Sequence, residues 1–68
     1  MWLKLSGELF YFGPGGVTSV KEIDRRDKPS SYIFFTELYC GTSRIGLVCE
    51  KISEIEEQLI KKKGKKND

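Results

Sequence analysis

The sequence predicts an α+β fold, a small curved antiparallel sheet of four to five strands with one C-terminal helix packed on one face. Turn-forming residues divide the first 50 positions into short segments rich in aromatic and β-branched residues, which favour strands. The positions that follow show the spacing of an amphipathic helix instead. Since the chain has 68 residues, it has room for a single domain.

The first twelve residues are predicted to form a tight β-hairpin. Two apolar-polar segments flank Ser6-Gly7, a two-residue turn whose glycine tolerates a positive φ. This turn places Leu5 opposite Glu8, and alternation of side chains then divides the hairpin into two faces. One face carries Leu3, Leu5, Phe10 and Phe12, and the other carries Trp2, Lys4, Leu9 and Tyr11.

A glycine-rich loop and a third segment follow the hairpin. Gly13-Pro14-Gly15-Gly16 contains three glycines and a proline in four positions and predicts a turn. In residues 17–23 the apolar side chains are three apart, a spacing that suits one helical turn or a bulged strand equally. The neighbouring glycines and the β-branched residues favour the strand.

A second hairpin is predicted after the polar loop of residues 24–31. Residues 32–39 have the strongest strand preference in the chain, residues 40–43 form the turn, and residues 44–50 return. Placing Tyr39 opposite Arg44 sets the register. The apolar face then holds Phe34, Thr36, Leu38, Ile45, Leu47 and Cys49, and the other face holds Ile33, Phe35, Glu37, Tyr39, Arg44, Gly46, Val48 and Glu50.

The C-terminal segment predicts a helix and a tail. Ser53 and Glu56 have the spacing of a capping box, and Gly64 is a suitable stop. We therefore expect one domain in residues 1–60 and a mobile lysine-rich tail in residues 61–68. The apolar stripe of the helix is Ile52, Ile55, Leu59 and Ile60.

The net charge of +2 is unevenly distributed along the chain. Residues 61–68 contain five lysines and one aspartate, a balance of +4. Residues 1–60 hold seven basic and nine acidic side chains, so the predicted domain itself carries −2. A lysine run of this kind is most often a solvated chain end, with contact to nucleic acid or an anionic membrane as the alternative.

The residue types needed for catalysis or metal binding are sparse. The chain has no histidine, and its two cysteines, Cys40 and Cys49, are predicted to lie roughly 20 Å apart in the second hairpin. We expect reduced thiols, with Cys49 as a small core residue, because a disulfide needs much closer approach. Zinc requires about four ligands at recognisable spacing, and the glycine-rich loop is not followed by Gly-Lys-Ser or Gly-Lys-Thr. The prediction is no enzyme, no metal, no cofactor and no small-molecule substrate.

The location predicted for the chain is the cytoplasm. Apolar runs of the roughly 18 residues needed to span a membrane are absent, and the N-terminus does not have the layout of a signal peptide. Reduced cysteines agree with this compartment.

The sheet face left uncovered by the single helix is the candidate functional surface. Large exposed aromatic side chains on a small protein indicate a contact surface. The candidate residues for a homo-oligomer or a protein partner are Trp2, Tyr11, Ile33, Phe35, Tyr39 and Val48. A register error of one residue would exchange the two faces.

Single-stranded nucleic acid is the alternative ligand for this face, because bases stack on aromatic rings. The acidic balance of residues 1–60 and the interleaved glutamates favour a protein partner instead. The basic residues that would contact phosphates are Lys4, Arg25, Arg26, Lys28, Arg44, Lys61, Lys62 and Lys63.

Several motifs resemble those of the small flagellar FlbD/SwrD-like proteins, over roughly residues 3–60. They are Leu5-Ser6-Gly7-Glu8-Leu9-Phe10-Tyr11-Phe12 with Pro14, Val17 and Val20, the β-rich residues 32–36, and Val48-Cys49-Glu50 leading to Ile55 and Leu59. The resemblance implies a small cytoplasmic protein without enzymatic activity, associated with flagellar or swarming function. The glycine-rich loop, the long loop of residues 24–31, the cysteines and the lysine tail depart from that pattern.

Overall fold

The protein has five short antiparallel strands and one C-terminal helix, which confirms the predicted α+β class. The computed structural model describes residues 1–64, with side chains up to residue 61. The elements are β1 (Trp2–Leu5), β2 (Glu8–Tyr11), β3 (Ser19–Glu22), β4 (Thr36–Cys40), β5 (Ser43–Val48) and α1 (Ile52–Gly64).

The strands form two sheets, not the one curved sheet predicted. β1 pairs with β2, and the second sheet has the order β3-β4-β5. The glycine-rich loop separates them, because it folds back on itself with hydrogen bonds from Gly16 N to Gly13 O (2.9 Å) and from Gly13 N to Val17 O (3.0 Å). After β2 the chain forms a single isolated parallel bridge, between Phe12 and Val17. The next strand, β3, then pairs with β4 and not with the first hairpin.

The register predicted for the first hairpin is confirmed. Trp2 faces Tyr11, Leu3 faces Phe10 and Leu5 faces Glu8. Ser6 and Gly7 have φ values of 53° and 78°, and two successive positive φ values match the twist of a tight hairpin. The open question of residues 17–23 is also resolved, since Ser19–Glu22 is a strand.

A β-bulge makes the predicted register of the second hairpin correct at one end and wrong at the other. Tyr39 pairs with Arg44 as predicted, but Leu38 pairs with Gly46, so Ile45 is an extra residue on β5. A Cβ at position 46 would lie 3.2 Å from Phe10 Cε1. The bulge therefore places Gly46, the one glycine of β5, against the Phe10 ring.

The bulge exchanges the faces of β5 beyond Ile45. Val48 was predicted on the uncovered face and is fully buried. Ile45 and Cys49 were predicted in the core, yet Ile45 is 47% exposed and Cys49 is exposed, with its N–H donating to Ser6 Oγ at 2.8 Å. The interpretation of Cys49 as a core residue is therefore wrong.

The strand predicted for residues 32–39 is shorter than expected, because β4 begins at Thr36. The guanidinium of Arg25 donates to the carbonyl oxygens of Tyr32 and Phe34, each at 2.6 Å. These two carbonyl groups accept hydrogen bonds from a side chain. If β4 continued through these residues, the carbonyl groups would instead accept from the backbone of a neighbouring strand. The segment before Thr36 is consequently a loop folded around Arg25.

The core lies between the two sheets and α1. Phe10, Phe12, Val20 and Leu59 pack around it, and α1 lies against β3. Its one buried polar side chain among the described residues is Thr36, whose hydroxyl donates to Glu50 O at 2.6 Å. The central buried side chains are Leu3, Leu5, Val17, Leu38, Val48 and Ile55.

The helix begins earlier and buries less than its sequence predicts. It starts at Ile52, and the Lys51 carbonyl accepts from Glu54 N and Ile55 N, so Ser53 lies inside the first turn and not at a capping position. Ile60, predicted in the buried stripe, is 69% exposed. The helix continues to Gly64 and so includes the first part of the predicted tail, while residues 65–68 lie outside the described residues.

Candidate interaction surface

The outer face of the first hairpin exposes three large apolar side chains together. We call Trp2, Lys4, Leu9 and Tyr11 the hairpin face. The exposed fractions are 57% for Trp2, 62% for Leu9 and 38% for Tyr11. Trp2 and Lys4 point outward because Leu3 and Leu5, which alternate with them along β1, are fully buried on the opposite side. The face is thus the outward half of a strand pair whose inward half forms the core.

Trp2 and Tyr11 form a paired aromatic unit within the hairpin face. Their ring centroids are 5.4 Å apart with an interplanar angle of 60°. They are cross-strand partners at a position where the side chains of an antiparallel pair come closest. The contact limits the rotamers available to both rings.

The glycine-rich loop supports Tyr11 from the other side. Tyr11 O accepts a hydrogen bond from Val17 N at 2.7 Å. The Tyr11 ring packs so closely on Gly13 and Gly16 that a Cβ at either position would lie within 3.2 Å of it. The glycine-rich loop therefore supports an aromatic side chain.

The other four residues predicted for partner binding do not join the hairpin face. Val48 is in the core, because the bulge at Ile45 exchanges the faces of the residues that follow it on β5. Ile33 is exposed in the loop before β4. Phe35 is half-buried, with the Arg25 guanidinium 3.9 Å from its ring centroid and the Lys51 amine at 5.2 Å. Tyr39 is half-buried on β4.

Leu9 and Met1 are the exposed apolar residues of this region that were not selected as candidates. Leu9 is more exposed than either aromatic ring of the hairpin face. Its signal was present in the sequence, because the alternation already placed it beside Trp2 and Tyr11.

Tyr39 is held by an acidic neighbour. Its hydroxyl donates to Glu37 Oε1 at 2.9 Å, and Arg44 contacts the other oxygen of that carboxylate at 3.5 Å. The hydrogen bond to Glu37 raises the pKa of Tyr39 above its ordinary value of 10.0, since ionisation would place a phenolate beside a carboxylate.

We expect this raised pKa to appear in an ultraviolet titration of the folded protein. Because the folded-state pKa lies above the unfolded value, the stabilising contribution is complete below pH 10 and is lost as the pH rises through the folded pKa. Tyr39→Phe should remove a late-titrating component of the tyrosinate absorbance, and Glu37→Gln should shift that component toward pH 10. An unchanged titration curve in both variants would contradict this assignment.

The basic residues proposed for nucleic acid are spread over several elements, and four of the eight have acidic or backbone partners. Arg25 binds loop carbonyls. Arg26 pairs with Asp24 at 2.8 Å, which lowers the pKa of Asp24, and Lys28 lies 3.6 Å from Asp27. Arg44 pairs with Glu37. The remaining basic candidates are Lys4 on the hairpin face, Lys61, which is exposed on α1, and Lys62 and Lys63, whose side chains lie outside the described residues.

An open cleft of about 920 Å³ lies beside the N-terminal end of α1. Its lining is of mixed charge, and one of its basic groups, Arg26, is already paired with Asp24. It does not concentrate one sign of charge. The charged residues around it are Glu22, Asp24, Arg25, Arg26 and Lys51.

Neither a metal centre nor a disulfide is formed by the described residues. Within residues 1–64, groups of three or more side chains able to hold a metal ion are absent. Cys40 and Cys49 are both free. The helix α1, the one helix in this part of the chain, is too short and too polar to cross a membrane.

The described residues form a small α+β fold whose first hairpin carries a cluster of exposed apolar side chains. Comparison with known proteins matches the chain to no family model, no curated protein and no solved structure.

Proposed function

We propose that this chain is a small non-catalytic interaction module that binds a protein through the hairpin face. The observation that carries the proposal is the joint exposure of Trp2, Leu9 and Tyr11 on one strand pair. Burying large apolar side chains of this kind is the main source of affinity at protein interfaces. The bound protein is either a second copy of the chain or a different polypeptide.

The rigidity of the hairpin face supports the proposal. Tyr11 is fixed between Trp2 and the glycine-rich loop, so little side-chain entropy remains to be lost when a partner binds. Aromatic anchors held in this way are typical of interface hot spots. Lys4 adds one positive charge to the face, which favours a partner with an acidic group near its apolar contact.

The resemblance to FlbD/SwrD-like proteins agrees with a cytoplasmic, non-enzymatic role of this kind. It suggests a motility-related partner as one source of the bound polypeptide. The motifs of that resemblance include the β1–β2 turn and all of β2, so they overlap the hairpin face.

The proposal predicts that a photo-crosslinking amino acid at position 9 will capture a protein. We expect a discrete adduct when benzoyl-phenylalanine replaces Leu9, either twice the mass of the chain or the mass of the chain plus one partner. The matched control carries the same group at position 60, because Ile60 is an equally exposed aliphatic residue on α1. Trp2→Ala in the position 9 protein should abolish the adduct.

Two results would contradict the proposal. Adducts of equal yield from positions 9 and 60 would mean that the labels react by random collision. The absence of an adduct from position 9, in cells and in purified protein at high concentration, would mean that nothing occupies the face.

Single-stranded nucleic acid is the second candidate ligand, favoured by the position of Lys4 on the same face as the Trp2 and Tyr11 rings. Bases would stack on the rings and Lys4 would contact phosphate. In that case an oligonucleotide should bind at low salt and lose affinity steeply as salt rises. A protein ligand instead predicts no binding to the oligonucleotide at low salt.

A further inference from the structure

The outer edge of β1 has open backbone hydrogen-bonding groups. Met1 and Phe12 exchange hydrogen bonds, with Phe12 N donating to Met1 O at 2.6 Å and Met1 N donating to Phe12 O at 3.2 Å. Hydrogen-bonded and non-hydrogen-bonded pairs alternate in an antiparallel ladder. The backbone N–H and C=O of Leu3 therefore also point toward β2, while those of Trp2 and Lys4 point away from it. Among the described residues, nothing binds the backbone N–H and C=O of these two residues.

Two of the other strand edges are closed or interrupted. The outer edge of β2 is closed in part by the hydrogen bond from Val17 N to Tyr11 O. The bulge at Ile45 interrupts β5, and bulges are a common way of blocking edge pairing. β1 differs from both in that neither a loop hydrogen bond nor a bulge interrupts its outer edge.

The open groups of β1 are complementary to those of a second β1. If two copies pair antiparallel about a two-fold axis at Leu3, Trp2 of each faces Lys4 of the other. All four open groups of each strand are then used, which gives four hydrogen bonds. Each Lys4 amine also lies beside a Trp2 ring, a favourable cation–π arrangement.

Neighbouring registers are less favourable. Pairing about Lys4 would place two lysines opposite each other and would bring Trp2 to Ser6, whose N–H is already bound to Glu50 Oε2 at 2.9 Å. Pairing about Trp2 would place the two Trp2 side chains opposite each other, so neither Lys4 amine would lie beside a Trp2 ring. The two-fold axis at Leu3 uses every open group and avoids the lysine pair.

We propose that β1 pairs with β1 of a second copy in this register, which joins the two hairpins into a four-stranded sheet. The two hairpin faces then become one continuous surface with twice the apolar area. The proposal concerns the edge of β1, whereas the proposed function concerns the hairpin face. Each can therefore fail without the other.

Charge substitutions test the register. Trp2→Lys would place lysines opposite each other twice in the dimer, and we expect it to raise the dimer dissociation constant at least about tenfold. The double variant Trp2→Lys/Lys4→Glu would place lysine opposite glutamate twice and should restore dimerisation. Sedimentation equilibrium over a concentration series measures each constant. A wild-type chain that stays monomeric at millimolar concentration overturns the proposal, and so does a double variant that remains as weak as Trp2→Lys.

Leu9→Gln is the matched control, because Leu9 is on the hairpin face but its backbone lies on the opposite edge, and an uncharged replacement avoids a like-charge pair with Lys4, its cross-strand partner. We expect it to leave the dissociation constant within about threefold. If Leu9→Gln dissociates the dimer and Trp2→Lys/Lys4→Glu does not restore it, the copies pack face to face and the proposed pairing is wrong.

A backbone substitution tests the hydrogen bonds directly. The chain can be assembled from synthetic segments by ligation at Cys40, which allows N-methylation of a single residue. N-methyl-Lys4 removes one open donor of β1 and should raise the dissociation constant at least about tenfold, whereas N-methyl-Leu9 on the other edge should not. Equal constants for the two methylated proteins would overturn the proposal.

Discussion

Replacing Arg25 with lysine is expected to lower the free energy of unfolding by about 2 kcal/mol, although the charge is retained. The planar guanidinium donates to the carbonyl oxygens of Tyr32 and Phe34 at once, each at 2.6 Å. It also lies 3.9 Å from the centroid of the Phe35 ring. A lysine amine cannot bind both carbonyls and stack on the ring in the same geometry, so at least one carbonyl loses its partner.

Arg26→Lys is the control for this prediction. Arg26 is the next residue in the chain, and its side chain is 91% exposed and bound to Asp24 alone. Exposed ion pairs contribute little to stability, so we expect its urea midpoint to match that of the wild type. Urea unfolding followed by Trp2 fluorescence compares the two variants. Equal midpoints for Arg25→Lys and the wild type would show that the loop does not depend on the guanidinium.

The role of Arg25 also bears on the nucleic-acid hypothesis. Its donors are turned into the loop that precedes β4, so a phosphate would have to compete with two carbonyl oxygens for them. The sequence shows only a basic loop at residues 25–28, and it does not indicate which of the two adjacent arginines is bound internally. This distinction depends on where residues 32–35 return in space.

The parts of the fold that could be predicted are those determined by neighbouring residues. Ser6-Gly7 sets the register of the first hairpin through the backbone angles of two positions, and the hairpin face follows from simple alternation. Glycine and proline likewise mark the loop before β3. Trp2 and Tyr11 were therefore placed correctly on one exposed face.

The parts that could not be predicted depend on contacts between distant segments. The bulge at Ile45 arises where β5 passes Phe10, more than thirty residues away in sequence, and it moves Val48 from the predicted surface into the core. The division into two sheets depends on Val17 returning to Tyr11. Alternation of side chains along the sequence does not reveal one extra residue in a strand. With or without the bulge, the side chains assigned to each face of β5 are apolar enough for that face to be plausible in the core.

Replacing Gly16 with alanine is expected to destabilise the protein by about 3 kcal/mol, since a Cβ there would overlap the Tyr11 carbonyl oxygen and lie 2.8 Å from Tyr11 Cδ2. The backbone cannot shift freely to relieve this overlap, because the same carbonyl accepts from Val17 N at 2.7 Å. The ring cannot move outward without losing its contact with Trp2. We therefore expect the variant to disturb the hairpin face as well as the stability.

Gly15→Ala separates this steric effect from the general cost of removing a glycine from the loop. Gly15 has a φ of 86°, but a Cβ there meets no atom within 4 Å. We expect it to lower the free energy of unfolding by about 1 kcal/mol through backbone strain alone and to leave the Trp2 emission spectrum unchanged. Gly16→Ala should shift that spectrum, because Trp2 packs on the displaced ring. If the two variants lose equal stability and keep the same emission spectrum, the glycine-rich loop does not seat Tyr11, and the rigidity argued for the hairpin face has no structural basis.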